Sequence, residues 1–369
     1  MRLKKLSEAS SARIVRQLAT LPMRRGAIRV RAAPATTFLA RTVKGLALLS
    51  RLSGNAHVKR TLAVSKSTIS TFELFQMFPD QESARAYFEA KRWPDGSVCP
   101  ACNEAKRIGT RKGGFYRCNA CLTDFTVRTA TIFERSKVPL HKWLYAMYLL
   151  VTARKGISSL QLAKQIGVTQ KTAWFMLGRL REACGNDPSQ LAGLVEIDEA
   201  YFGGVEKNKH AHKREGLGRG AIGKTAVIAG RERGSGRVKA EVPALVSRRT
   251  ATGFAYRNVE AGSEIHTDES AIYNRLGGLI YKHEAINHTA GEYVRGTVTT
   301  NGIESVFAVM KRGIIGVYHH ASPKHLHRYV GEFAFRLNEG DVKHHTLDRL
   351  ASLFMAGLGQ RITYKELIA

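Results

Sequence analysis

The sequence predicts a multidomain chain: a small cysteine-bearing ribbon and a short α-helical unit, then a larger α/β domain with a mixed sheet. Three observations predict it. Four of the five cysteines form two Cys-x2-Cys pairs, Cys99/Cys102 and Cys118/Cys121, with 15 residues between the pairs. Residues 139–183 are rich in apolar positions at helical spacing. Beyond the turn-rich Gly185-Asn186-Asp187-Pro188 the pattern changes to short apolar strands alternating with helices, the mark of a mixed α/β sheet. At 369 residues the chain has length for two or three domains with cores of their own.

Residues 1–70 hold 15 Lys+Arg and one acid, Glu8, with no sustained apolar period. This basic extension is expected to have low order. It reads as upstream sequence translated from a misplaced start, with a transit peptide or a DNA-binding tail as alternatives. Phe72, Phe75, Ala84, Tyr87 and Phe88 recur at helical spacing and predict a helix over 71–92. Trp93-Pro94-Asp95-Gly96 then turns the chain into the ribbon, 93–130, with short strands at Phe115-Tyr116-Arg117 and Asp124-Phe125-Thr126-Val127. Two tight knuckles offering two thiolates each match tetrahedral zinc, so Cys99, Cys102, Cys118 and Cys121 are the expected ligands of a structural Zn²⁺. A disulfide pair would need a secretory context, of which no signal is visible, and Cys184 reads as an ordinary thiol.

Residues 137–184 carry the grammar of a helix-turn-helix. Ala163 is small within a first helix, Gly167 makes the turn, and Thr169 caps a second helix. In that reading Gln170, Lys171 and Thr172 face DNA, while Trp174 and Leu177 pack inward. From 190 to 340 strands are expected at 194–202, 224–231 and 237–242, a helix at 250–259, a strand at 263–267, a short helix at 271–276, a strand at 281–287, and a helix from Asn301. That order is the order of a ribonuclease H-like domain. Residues 341–369 read as a C-terminal helical tail.

Two of these strands end in acids, at Glu196-Ile197-Asp198-Glu199 and His266-Thr267-Asp268-Glu269, and the later helix begins Asn301-Gly302-Ile303-Glu304. Asp198, Asp268 and Glu304 form a candidate trio for Mg²⁺ or Mn²⁺, since hard oxygen ligands suit these ions rather than zinc. Two such ions would clamp both oxygens of an in-line phosphodiester displacement. By alternation only one acid of each adjacent pair faces the site, and period alone leaves open which. Asn301, Glu304 and Lys311 share one helix face. Asn301 is either a carbonyl ligand or a plain N-cap, and Lys311 and Arg312 are placed to hold a DNA strand. A basic segment, with Lys207, Lys209, Lys213, Arg214 and Arg219, is a solvated hairpin tip or a backbone contact. The histidine-dense run 318–329 suggests polar contacts near DNA.

A balance of 58 Lys+Arg against 30 Asp+Glu, formally +28, argues for a polyanionic partner, with double-stranded DNA the first candidate. No apolar run approaches the roughly 18–20 residues of a membrane span, so a soluble protein without a membrane partner is expected.

Taken together, the ribbon, Glu196-Ile197-Asp198-Glu199 with Tyr201-Phe202-Gly203-Gly204, Gly223-Lys224-Thr225-Ala226-Val227, His283-Glu284-Ala285-Ile286-Asn287-His288, Thr300-Asn301-Gly302-Ile303-Glu304-Ser305 and the 318–329 run with Glu332-Phe333 resemble one family. They resemble the ISXO2-like transposases of the IS1595 insertion-sequence family, relatives of eukaryotic Merlin elements. The resemblance covers roughly residues 70–369 and implies a DDE-type transposase with a ribonuclease H-like catalytic core. Asp198 and Asp268 then match the first two acids and Lys311 the trailing base. Glu or Asn serves as third ligand in the family, so Glu304 is the first choice and Asn301 the reserve. It also implies binding to the element's terminal inverted repeats, a homo-oligomer on DNA, and a bacterial cytoplasmic, nucleoid-associated setting. The rival reading is a non-catalytic DNA-binding protein derived from a transposase; a nuclease without strand transfer would share the same site.

Overall fold

The computed structural model describes residues 68–185, 187–204, 209–214, 221–278 and 280–368. The expected extension lies outside these but for 68–70, as do Lys207 and Arg219. Where one helix was expected over 71–92 there are two, α1 (Thr71–Met77) and α2 (Gln81–Arg92). Pro79 lacks an amide hydrogen, and Asp80 starts a fresh helix by accepting from the Ser83 N–H at 2.8 Å. The break rotates the apolar stripe: Leu74, Ala84 and Phe88 are buried, whereas Phe72 is 82% exposed.

Strands β1 (Ile108–Arg111), β2 (Phe115–Cys118) and β3 (Asp124–Thr126) form a small antiparallel sheet in the order β1-β2-β3. Trp93, Tyr116 and Phe125 pack beside the buried Cys99 and Cys118. Helices α3 (Leu140–Thr152), α4 (Ser159–Ile166) and α5 (Gln170–Cys184) follow. Gly167 lies between α4 and α5 at φ 63°, a left-handed conformation that suits glycine. Thr169 caps α5, accepting from the Thr172 N–H at 3.2 Å. Cys184 is buried, which pushes its thiol up to about 12 and leaves it inert.

The α/β unit contains β4 (Leu194–Phe202), β5 (Thr225–Glu232), β6 (Val238–Glu241), α6 (Arg248–Asn258), β7 (Glu264–Asp268), β8 (Lys282–Ile286), α7 (Asn301–Gly313) and α8 (Pro323–Leu337). The five strands run in the order β6-β5-β4-β7-β8. Pairs β4–β5 and β5–β6 are antiparallel, β4–β7 and β7–β8 parallel, so the sheet is mixed as expected. No helix forms at 271–276. The segment makes two successive turns, Tyr273 N–H to Ser270 C=O and Leu276 N–H to Tyr273 C=O, because both side chains are drawn under the sheet and Gly277-Gly278 ends the run.

Each face of this sheet has its own core. Ala200, Phe202 and Val227 pack with Ile303, Phe307 and Met310 of α7 on one side. Val195, Ile197 and Ile228 pack with Ala251 and Phe254 of α6 on the other. The C-terminal helices α9 (Thr346–Ala356) and α10 (Tyr364–Ile368) return to the N-terminal helices. Leu350, Leu353 and Phe354 share a core with Phe88, Phe133 and Trp143, and the Phe88 and Phe354 rings lie 4.7 Å apart. Helix α8 joins the two bodies: Val330 and Phe333 enter the sheet core, Phe335 the helical one. Among the described residues no helix is long and apolar enough to cross a membrane.

Candidate active site and metal centre

The parallel register between β4 and β7 pairs Leu194 with Glu264 and Glu196 with His266. Asp198 and Asp268 each lie two residues beyond the last of these pairs, with the same parity as Glu196 and His266. In-register residues of parallel strands point to the same face. Here that face is the one α7 covers, because Ala200 and Phe202, of the same parity as Asp198, pack against Ile303 and Phe307. The alternatives left open by period now separate. Glu199 points to the opposite face, where the Tyr273 hydroxyl donates to it. Glu269 is taken up by the loop beyond β8, accepting from the N–H groups of His288 and Thr289 at 2.8 and 3.0 Å. The Thr289 hydroxyl and those amides hold its carboxyl down at about 2.

Crowding shows in the acids that remain. Burial pushes the Asp198 carboxyl up to about 7, with Glu199, Asp268 and Glu304 adding like charge. Asp268 is raised in the same way by burial and then by Glu269, with His288 opposing. Glu304 projects from the first turn of α7, about half exposed, with His288 Nε2 at 3.7 Å from its Oε1 and the Thr300 hydroxyl donating at 3.1 Å. Among the described residues, only the four cysteines form a group whose ligand atoms all lie within 4.8 Å of one another. Asp198, Asp268 and Glu304 do not form such a group. Their donors are hard oxygens only, the set divalent Mg²⁺ or Mn²⁺ takes.

Asn301 is not the cap of α7. Thr300 occupies that position without a side-chain capping bond, and Asn301 is the first helical residue, exposed, its N–H on Thr299 Oγ1 at 3.2 Å. The helix start is held from the sheet instead. Glu196, 2% exposed in the middle of β4, accepts from the Ile303 N–H at 2.9 Å through Oε2. Its Oε1 accepts two bonds from Arg233, at 3.0 and 2.9 Å. Arg233 also reaches the carbonyls of Thr297 and Thr299 just before the helix. A side chain on Gly302 would strike the Arg231 guanidinium and come within 2.5 Å of Glu196 Oε2. Glu196, Arg233 and Gly302 thus seat the helix that carries Glu304.

The ribbon ligands are closed. Cys99 and Cys121 sulfurs lie 3.6 Å apart, as do those of Cys102 and Cys118. Zinc–sulfur bonds of about 2.3 Å in a tetrahedron imply sulfur separations of about 3.8 Å. The residue after each knuckle's second cysteine, Asn103 and Leu122, takes φ 60°, so both knuckles use the same turn. Thr123 beside Cys121 favours its thiolate, pulling it down to about 6. The donor set fits a structural Zn²⁺.

The chain matches the ISXO2-like transposase domain over residues 190–338 and the transposase zinc-ribbon domain over 79–124. It is 32% identical over 236 residues to the uncharacterized protein in transposable element ISH50 of Halobacterium salinarum, covering 60% of this chain and 79% of that protein. The chain belongs to the ISXO2-like transposase family. A similarity also exists to a chain in the cryoEM structure of a simian T-cell lymphotropic virus intasome in complex with PP2A regulatory subunit B56 gamma. It stands at 12% identity and a TM-score of 0.25, over 51% of this chain and 68% of that one.

Elsewhere in this transposase-family chain the expected contact residues separate. Lys311 lines a cavity of about 510 Å³ with Tyr201, Lys224, His319 and His320. Arg312 faces a different cleft, with Arg154 and Lys155. At the start of α5, Gln170 reaches back to the Ser159 hydroxyl at 2.9 Å and the Thr172 hydroxyl meets that of Thr169 at 2.9 Å, while Lys171 stays exposed. Leu177 is fully buried, but Trp174 only partly, with its ring 6.1 Å from His325. Sequence reading gave no role to Glu196 or to Glu332. The latter is fully buried between Arg181, whose Nε donates at 2.6 Å, and Arg336, with the Tyr318 hydroxyl donating at 2.8 Å. Both were visible as acids on faces that must be buried, a signal to look for an arginine partner.

Proposed function

We propose that this chain is a DDE-type DNA transposase that cleaves and joins strands at the ends of an insertion sequence. Its α/β unit serves as a ribonuclease H-like catalytic core. Asp198, Asp268 and Glu304 would hold Mg²⁺ or Mn²⁺, which supplies charge neutralisation at the phosphodiester and orients its attacking and leaving oxygens. Asn301, exposed one turn before Glu304, is the reserve ligand. Glu196 and Arg233 keep the α7 start seated, so that Glu304 meets the strand-borne acids in a fixed orientation. Lys311, with Lys224 beside it, holds a DNA strand at the mouth of the site, and Arg312 contacts DNA from the neighbouring cleft. The ribbon, with its Zn²⁺, and the helix-turn-helix formed by α4 and α5 bind the terminal repeats. Lys171 makes phosphate or base contacts there, while Gln170 and Thr172 shape the helix start as well as face the DNA. Joining two ends calls for at least two copies on the DNA.

What supports this reading is that Asp198 and Asp268 belong, by strand parity, to the sheet face covered by the Glu304 helix. Its test is a strand-transfer assay with element-end DNA and Mg²⁺, comparing wild type with Asp268→Asn, Glu304→Gln and Asn301→Ala. Both acid variants should lose cleavage and joining. Robust strand transfer by both would sink the site. End binding without cleavage by wild type would instead favour the non-catalytic binding protein, and cleavage without joining the nuclease.

A further inference from the structure

On the sheet face opposite α7, helix α6 and the segment after β7 enclose a groove of about 860 Å³ lined by Arg248, Arg249, Arg257, Arg275 and Tyr256, with no acid in its lining. Arg257 is paired with Glu241, at 2.6 Å, but Arg249 and Arg275 form no ion pair with a described residue. Arg249 and Tyr256 lie two turns apart on one face of α6, and both are exposed. We propose that this groove is a second DNA contact, taking the phosphate backbone of the duplex as it leaves the acid site. The inference rests on the transposase reading for the identity of the polyanion.

Three features point to a backbone track rather than a solvated charged face. The arginines come from two separate elements and converge on one concavity. The lining offers cations, hydroxyls and one exposed ring but no carboxylate, complementary to phosphate and unsuited to a basic or neutral partner. The groove is also tied to the candidate active site by a short, pinned segment. Ser270 N–H donates to Asp268 Oδ1 at 3.1 Å, and buried Tyr273 donates its hydroxyl to Glu199. Arg248 Nε lies 3.5 Å from the Ala271 carbonyl, and Arg275 follows two residues after Tyr273. The chain that leaves Asp268 at the strand end therefore runs straight into the groove wall at Ala271 and Arg275, and on this proposal the duplex follows it round that end of the sheet. Helix α6 then extends the cationic surface by about 13 Å from Arg248 to Arg257.

The test uses the full chain without added divalent cation, so that binding is read apart from cleavage. Two fluorescent duplexes are compared, one ending at the cleavage position and one carrying about 10 further base pairs, roughly 34 Å of helix. Wild type should prefer the longer duplex by about tenfold or more. Arg249→Ala/Arg275→Ala should lose that preference, and its slope of log affinity against log salt on the longer duplex should fall by about 2. Arg249→Lys/Arg275→Lys should keep most of both. Equal wild-type affinity for the two duplexes, or an unchanged slope in the alanine variant, would overturn the proposal. So would an RNA duplex or polyglutamate binding the groove more tightly than DNA, read as greater loss in the alanine variant. Failure of the acid-site reading would appear only in the strand-transfer assay, and these binding results would stand or fall separately.

Discussion

The ribbon's four thiols and the carboxyl groups of Asp198, Asp268 and Glu304 are two candidate ligand sets, and the fold prepares them differently. The thiols are drawn together at 3.6 Å by two matching knuckles on a unit with little core of its own, essentially Trp93, Tyr116 and Phe125. Asp198 and Asp268 sit on a five-stranded sheet with an apolar core on each face, and Glu304 on the helix that covers one of those faces. They stay further apart, with Asp198 pushed up to about 7. A small unit can rely on its metal for folding, because binding energy becomes folding energy. Acids carried on a sheet with cores of its own need no ligand to fold, and on the proposed reading a cation would relieve their crowding.

The largest effect should expose that difference. Cys118→Ser, or strong chelation, should unfold the ribbon, since structural zinc contributes on the order of 10 kcal/mol to such units. Hydrogen exchange should then rise across 93–130 while β4, β5 and β7 stay protected. Asp268→Asn should do the reverse, lowering strand cleavage by on the order of 10³-fold, equivalent to roughly 4 kcal/mol of transition-state stabilisation, with no loss of protection in the sheet. If Asp268→Asn destabilises the chain as much as Cys118→Ser does, the comparison is broken.

A smaller effect follows from the carboxyl of Asp198 in metal-free protein. Its ordinary value is 3.8 and its folded value about 7. Between those values the native state keeps a proton the unfolded chain has released. Stability should therefore fall as pH rises from about 4 to 7 and level off above, by at most about 4 kcal/mol from this group. Asp268 and Glu199, also raised chiefly by burial, act in the same direction. Urea unfolding at pH 5 and pH 8 should show the decline in wild type and a shallower one in Asp198→Asn. Added Mg²⁺ should restore stability at pH 8 in wild type. A decline as steep in Asp198→Asn as in wild type would count against crowded acids.

These two sites were also unequally legible in sequence. The cysteine spacing announced its geometry because knuckles are local: each Cys-x2-Cys makes its own turn, and only one long-range closure remains. The acids needed the sheet. Alternation alone could not separate Asp198 from Glu199, since both faces of β4 are covered and its apolar residues and acids fall on both. Tyr273 and α7, distant in sequence, decide it. The strand positions survived translation into structure because turn-forming residues bound the strands on both sides. The helix expected at 271–276 did not, since burial of Tyr273 and Leu276 outweighed a weak local period. Pro79 was a readable break, overlooked because Phe72 and Phe75 continued the apolar spacing into solvent. Glu196 was quoted within its motif without a role, because its partners, Arg233 and the Ile303 amide, lie 37 and 107 residues away.

That buried carboxylate sharpens the comparison from the sheet side. Glu196→Ala should remove the seat of α7 and leave Arg233 facing the helix start unpaired, costing roughly 2–4 kcal/mol. Gly302→Ala should also destabilise, by about 1–3 kcal/mol from overpacking, because the Arg231 tip can shift aside but the pinned Glu196 carboxylate cannot. Both should reduce strand cleavage by more than their loss of stability explains, since Glu304 rides on the displaced helix. Denaturant midpoints measured beside single-turnover cleavage would separate the two. Cleavage that tracks stability alone would make Glu196 a purely structural residue.

The smallest effect belongs to Lys171, outside both candidate ligand sets, and it asks whether the ribbon acts alone on DNA. Lys171 is exposed at the first turn of α5, while Gln170 and Thr172 are engaged with Ser159 and Thr169. A lysine contacting one phosphate contributes about one unit to the salt slope and weakens binding evenly across sequences when removed. Lys171→Ala should therefore lower affinity for element-end DNA several-fold, reduce the slope by about 1, and leave zinc content and thermal stability as in wild type, because its side chain packs on nothing. An unchanged slope would assign end binding to the ribbon and leave α4 and α5 as core. A sequence-dependent loss would instead turn Lys171 toward a base edge, where a good bidentate pair discriminates by about 1–3 kcal/mol.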